Sequence, residues 1–158
     1  MCLWSGLIAA SLFVIHAIID KDRFLLFDYV NLLFHEFGHL FFGIMGETIG
    51  LWGGTLMQLF IPSLILIYFR VKGDIPGTAF GVFWIGENLL NISIYIADAR
   101  SMSLPLVGGG LHDWNIILSD MGMLQYDKFI AVAVRTTGWL IIGLSITWFL
   151  IKGIKNKV

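Results

Sequence analysis

The feature that most constrains this chain is a succession of long apolar windows, nearly free of charge over about 19 residues at a time and separated by short polar connections. A soluble domain needs charged side chains over most of its surface, and an average soluble sequence is about a quarter charged. Here only 13% of 158 residues are charged, while 58% are hydrophobic and 15% aromatic. Water is the wrong solvent for such a surface, and a chain surrounded by lipid must pair every backbone N–H and C=O internally. The expected fold class is therefore all-α, a polytopic membrane helix bundle. Crossing about 30 Å of hydrocarbon takes about 20 helical residues, and roughly five transmembrane helices are expected, over about 3–19, 25–46, 55–71, 76–98 and 128–151.

The rest of the composition narrows the class. A net charge of −1 and no basic cluster with interleaved aromatics leave no electrostatic footprint for nucleic acid. The expected partners are the lipid bilayer and a membrane protein or peptide substrate, with a homo-oligomer left open. The lone Cys2 excludes an intramolecular disulfide and the four-cysteine zinc patterns. Lys21 and Arg23 follow the first segment, Arg70 and Lys72 the third, and Lys152, Lys155 and Lys157 the fifth. The positive-inside rule then places the N-terminus outside and the C-terminus in the cytoplasm, as in a bacterial inner membrane. Every connection but one is short, so residues 1–158 are expected to form a single transmembrane domain. The exception, about 99–127, contains Gly108-Gly109-Gly110 and then an amphipathic stretch from His112 to Leu124, which could lie at the interface or dip back into the bundle.

Chemistry concentrates in the second segment, at His35-Glu36-Phe37-Gly38-His39. On a helix two histidines four apart project from one face a turn apart and can hold one Zn²⁺ through two ring nitrogens. Glu36 sits at the edge of that face, placed to take a proton from an attacking water and deliver it to a leaving group. Such groups are costly in hydrocarbon and should face a partner or a cavity. Asp28 and Asn31, on the same stripe, could accept the remaining imidazole N–H or line an entrance, although Asp28 serves equally well as a cap.

A catalytic zinc calls for a third protein ligand, and two places could supply it. Glu87 lies near the middle of the fourth segment and, with Asn88, Asn91, Tyr95 and Asp98, forms a polar stripe that must face inward. If the second and fourth helices enter from one side, Glu87 lies at a depth comparable with His35 and His39. The other place is His112-Asp113, where the preceding glycines allow close approach of the backbone. His112 could instead stabilise an oxyanion, with Asp113 orienting it. Asp98 and Asp28 are lesser alternatives. Among weaker features, Arg135 is expected to snorkel to the outer interface or to pair with Glu87 or Asp98. Gln58 and Pro62 interrupt the third segment, Gly53-Gly54-Thr55 reads as a tight turn or as an edge for strand addition, and His16 reads as a packed or interfacial histidine.

The His-Glu-Phe-Gly-His run resembles that of the intramembrane zinc metallopeptidases of the site-2 protease class, the likeness resting mainly on residues 28–63. It implies His35 and His39 as zinc ligands and Glu36 as catalytic acid and base. In that class a later helix supplies the third ligand as an Asp within an Asn-Pro…Asp-Gly motif, which this chain lacks. The segment Gly108-Gly109-Gly110-Leu111-His112-Asp113-Trp114 resembles a run found in small bacterial membrane proteins. The expected activity is zinc-dependent hydrolysis of a peptide bond in or near the membrane. The alternative is a membrane metal-binding or metal-transport protein in which His35, Glu36, His39 and Glu87 form a transit site.

Overall fold

A computed structural model describes residues 13–15, 26–105 and 112–156. Every regular element among these residues is helical: α1, Leu26–Gly43; α2, Glu47–Val71; α3, Ile75–Ala97; α4, Asp113–Asp120; and α5, Asp127–Asn156, entered through a 3-10 turn over Leu124–Tyr126. Residues 13–15 are a further helical fragment, where the Phe13 ring meets Phe83 of α3 edge-on at 5.0 Å.

The periodicity of α1 separates two environments. Asp28, Asn31, His35 and Gly38 are buried, whereas Val30, Leu33, Phe37, Leu40 and Phe41 are exposed, so the polar stripe faces the bundle and the apolar one faces outward, the reverse of a soluble helix. Residues 44–46 then reverse the chain, with Gly46 at φ 118°, a conformation an L side chain adopts only with strain. Glu47 and Arg70 sit in the first and last turns of α2, each complementing the helix dipole. A second reversal ends on Asp74, whose carboxylate caps α3 by accepting from the Gly77 N–H at 2.8 Å, and Pro76 occupies the first turn, where its missing N–H removes no bond.

Two glycine seams set the packing. A Cβ on Gly53 would lie 2.5 Å from the carbonyl oxygen of Gly38, and one on Gly50 would lie 2.8 Å from the Gly43 Cα, so α1 and α2 approach backbone to backbone, as small residues allow in membrane helices. Gly86 and Gly138 do the same for α3 and α5, where a Cβ on Gly138 would stand 2.7 Å from the Gly86 oxygen. The buried Ser145 hydroxyl adds a bond to the Ala79 carbonyl at 2.7 Å. The main apolar core gathers Ile92, Ile96 and Ala99 from α3 and its end, Trp114, Ile117 and Leu118 from α4, and Ala131 from α5. The short α4 is thus a plug held in the bundle. Asn115 Nδ2 ties it to the Ala99 carbonyl at 2.7 Å, and Trp114 packs edge-on against Trp52 of α2 at 5.5 Å.

Among the described residues, three helices are long and apolar enough to cross a membrane: Glu47–Val71, Ile75–Ala97 and the stretch Leu124–Lys155. By these lengths and compositions the chain is an integral membrane protein. They correspond to the expected segments 55–71, 76–98 and 128–151, and the count falls below five for two reasons. The segment 3–19 lies, apart from 13–15, outside the described residues. The segment 25–46 forms α1, whose 18 residues rise about 27 Å, but its aspartate, asparagine, glutamate and two histidines dilute the apolar content. One local expectation is corrected. Gly53-Gly54-Thr55 is neither a turn nor a strand edge but lies inside α2, because the helix cost of glycine, about 1 kcal/mol each, is offset by contacts that only a bare Cα permits. Pro62 likewise lies inside an unbroken helix.

Candidate metal centre

Three side chains converge where α1, α2 and the start of α4 meet. His35 Nε2 lies 2.9 Å from Asp113 Oδ2, His39 Nε2 lies 3.0 Å from the same oxygen, and the two Nε2 atoms are 3.0 Å apart. These residues form a group able to hold a metal ion. The triangle is close to the edge of ~3.3 Å subtended by ligands at 2.0–2.1 Å from a tetrahedral zinc.

Protons decide what such a triangle can do. The Nδ1 atom of His35 meets Gln58 Oε1 at 3.0 Å, and that of His39 meets the Gly50 carbonyl at 2.8 Å. Both partners are acceptors, so each Nδ1 carries a hydrogen, and the tautomer with hydrogen on Nδ1 alone turns the lone pair of Nε2 inward. The polarity of the Gln58 contact is fixed from a distance. Gln58 Nε2 donates to Asn91 Oδ1 at 2.9 Å, and Asn91 Nδ2 donates to Asp28 Oδ1 at 2.7 Å, an oxygen that accepts when ionised. In that tautomer two imidazole lone pairs and a carboxylate oxygen face one another, an arrangement that a shared proton or a metal cation would relieve.

The surroundings hold this geometry. A Cβ on Gly54 would lie 2.5 Å from His35 Cε1 and 2.6 Å from Nε2, so α2 backs directly onto the ring. Tyr95 of α3 meets His35 edge-on at 5.7 Å. Access is one-sided: the His35 side chain is 8% exposed and that of His39 26%. Glu36 is half-buried on that flank, close enough for its charge to act on His39.

The other expected site residues lie elsewhere. Glu87, 1% exposed, accepts from Asn31 Nδ2 at 2.7 Å, and Asn31 Oδ1 accepts from Trp84 Nε1 at 2.9 Å, so Glu87 stands outside the His35, His39 and Asp113 group. On α3 it is Tyr95, eight residues after Glu87, whose ring meets His35, while Glu87 meets Asn31 and Asn91 meets Asp28. Asn31 and Asp28 consequently serve α3 and do not accept from the imidazoles. His112 is the N-cap of α4: its Nδ1 accepts the Asn115 N–H at 3.2 Å. That fixes the hydrogen on Nε2, which stands 3.5 Å from Asp98 Oδ2, while the ring stacks on Tyr95 at 4.2 Å. Burial holds this imidazole below its ordinary pKa despite the neighbouring Asp98 and Asp113. Its role in the described structure is to start the helix that carries Asp113. Asp98 closes its own turn, accepting from the Ser101 and Ser103 hydroxyls and from the Ser103 and Leu104 N–H groups. The triple glycine and His16 lie outside the described residues.

Sequence reasoning missed two supports. Gln58 left a signal, as an amide within an apolar helix, whereas the Gly50 carbonyl left none, because any residue carries one. Comparison with protein-family models, curated proteins and solved structures gave no match.

Proposed function

We propose that the protein is a membrane-embedded zinc metallopeptidase hydrolysing peptide bonds in or near the membrane. The observation that carries the reading is the convergence of three electron-pair donors within 3.0 Å, both rings oriented by acceptors on their far nitrogens, with a half-buried glutamate beside them. His35, His39 and Asp113 would hold the ion, and its chemistry there would be to polarise the substrate carbonyl and acidify water. Glu36 accepts a proton from the attacking water as the oxygen bonds the carbonyl carbon. It then passes that proton to the amide nitrogen as the C–N bond breaks. Gln58 and the Gly50 carbonyl keep the imidazoles in the tautomer that ligation requires. The substrate segment must be unwound, since a helical carbonyl is engaged in its own ladder. The proposed setting is a bacterial inner membrane, N-terminus out and C-terminus in, from the distribution of Lys and Arg.

The test is zinc content together with cleavage of membrane-inserted peptides by wild type and by Glu36→Gln. Retained zinc with cleavage lowered by roughly 10²-fold or more is expected, and equal cleavage by both forms would remove the mechanism.

A second reading is favoured by one observation, the buried carboxyl of Asp28 linked to His35 through Asn91 and Gln58, with the buried Glu87 held nearby by Asn31. A cation leaving the triad would find further oxygen donors deeper in the bundle, as a transport pathway needs. Zinc flux into proteoliposomes that persists in Glu36→Gln would establish transport in place of hydrolysis.

A further inference from the structure

The sequence offers His112 as the donor for an oxyanion, but that ring caps α4, its Nδ1 accepting from the Asn115 N–H. The residue it stacks on carries a donor too. Tyr95, in the last turn of α3, is a half-buried phenol held from two sides: its ring lies over His112 at 4.2 Å and meets His35 edge-on at 5.7 Å. His35 is a member of the candidate metal group and His112 directly precedes another, Asp113, so the phenol forms part of the wall of that centre. Its hydroxyl is reached by the Asp113 backbone N–H, and the carboxylates of Asp113 and Glu36 are close enough for their charges to act on it.

That N–H belongs to the first residue of α4, and the opening N–H groups of a helix have no partner within it. Accepting from it, the phenol oxygen turns its own hydrogen away from the helix end. Among the described residues that hydrogen is donated to no acceptor. A phenol keeps its hydrogen at neutral pH, and a preset donor beside the point where charge develops is what an acyl-transfer oxyanion needs.

We propose that Tyr95 is a catalytic residue whose hydroxyl donates a hydrogen bond to the substrate carbonyl oxygen as that oxygen becomes the oxyanion of the tetrahedral intermediate. This inference rests on the hydrolase reading. As the water oxygen bonds the carbonyl carbon, the π electron pair moves onto the carbonyl oxygen. The phenol proton stays on Tyr95, and Glu36 alone carries a proton to the leaving nitrogen. A hydrogen bond to an oxyanion is stronger than one to a neutral carbonyl, so the contact lowers the barrier and adds little to substrate affinity.

The test compares zinc-loaded full chains of wild type, Tyr95→Phe and Glu36→Gln in cleavage of a membrane-inserted peptide. It also measures binding of a phosphinate peptide, whose tetrahedral anionic group copies the oxyanion and is not cleaved. Phenylalanine keeps both ring contacts and removes the hydroxyl alone. Tyr95→Phe should lower kcat by roughly 10²-fold, with KM within about twofold of wild type. Phosphinate affinity should fall by a similar factor, and zinc affinity should not change. Unaltered kcat and phosphinate affinity in Tyr95→Phe, with Glu36→Gln inactive, would overturn the role of Tyr95 and leave the hydrolase reading standing. Equal cleavage by Glu36→Gln and wild type would instead remove that reading, and this proposal with it. A raised KM at constant kcat would make the hydroxyl a group that only binds substrate, and loss of zinc or of the folded state would make it a structural one; either result overturns the proposal.

Discussion

Two polar clusters share one face of α1, and they are built on opposite principles. Around Asn31, amide and indole hydrogens lie between the polar atoms: Asn31 donates to Glu87 and accepts from Trp84. One turn later, His35 and His39 bring two ring nitrogens and a carboxylate oxygen within 3.0 Å of one another. In the first arrangement donor hydrogens of Asn31 and Trp84 join the two helices, as buried polar groups need in order to avoid a desolvation penalty. The second gathers three atoms that could share a metal ion. Polarity at a given depth thus does not distinguish the two clusters, whereas the convergence of three possible ligand atoms does.

The sharpest way to break this contrast is to remove a ligand. His35→Ala and Asp113→Ala should each lower bound zinc from about one per chain to near zero, read by elemental analysis, with an affinity loss of roughly 10³-fold or more. Retention of metal by either would show that the triangle is not the centre.

Next in size are the supports. Gly54→Ala, which thrusts a Cβ against the His35 ring, and Gln58→Leu, which removes the acceptor for Nδ1, should each weaken zinc binding by roughly 10- to 100-fold. Competition with a chromogenic chelator would read this. A variant that binds as tightly as wild type would mean the ring needs no such support.

The complementary expectation concerns the satisfied cluster. Glu87→Gln, which keeps an acceptor for Asn31, should leave zinc affinity within about twofold, whereas Glu87→Ala should destabilise the bundle by roughly 1–3 kcal/mol without selectively emptying the centre. Thermal unfolding alongside zinc titration separates the two effects. Loss of metal in the folded Glu87→Gln protein would erase the distinction between the clusters.

The smallest effect is one of pH, at the turn after α3. Burial opposes ionisation of Asp98, but its hydroxyl and N–H donors outweigh burial and hold the carboxyl well below the usual range. A folded pKa below the unfolded one gives stability that is present above the unfolded value, about 3.9, and is lost as pH falls through the folded one. Acid unfolding of wild type should therefore contain a contribution, below about pH 4, that Asp98→Asn lacks. Identical acid profiles would show that the turn does not depend on the charge.

How much of this was legible in the sequence follows from the range of the forces involved. Membrane character and helical content depend on composition and local periodicity, and α3 and α5 fall within a residue or so of the segments expected near 76 and 128 at their starts. His35 and His39 were legible because a four-residue spacing on one helix is a local geometric fact. Asp113 was legible only as one alternative among several, since its approach depends on α4 being plugged in by Trp114, Ile117 and Leu118. Glu87 meets Asn31 and lies outside the His35, His39 and Asp113 group, because depth along a helix does not say which side chains of a neighbouring helix it will reach. The glycines at 53 and 54 misled because their partners are on another helix, and a local reading sees only the loss of helix propensity.

The sequence by itself determined the solvent the chain is built for, the all-helical backbone that this solvent demands, and the pair of imidazoles able to share a cation. Only the tertiary structure decided the third donor, the tautomers and the separation of the two polar clusters. The physical reason is reach: ligation and hydrogen bonding act over about 3 Å, and which side chains come that close is set by glycine seams and helix offsets that join residues tens of positions apart.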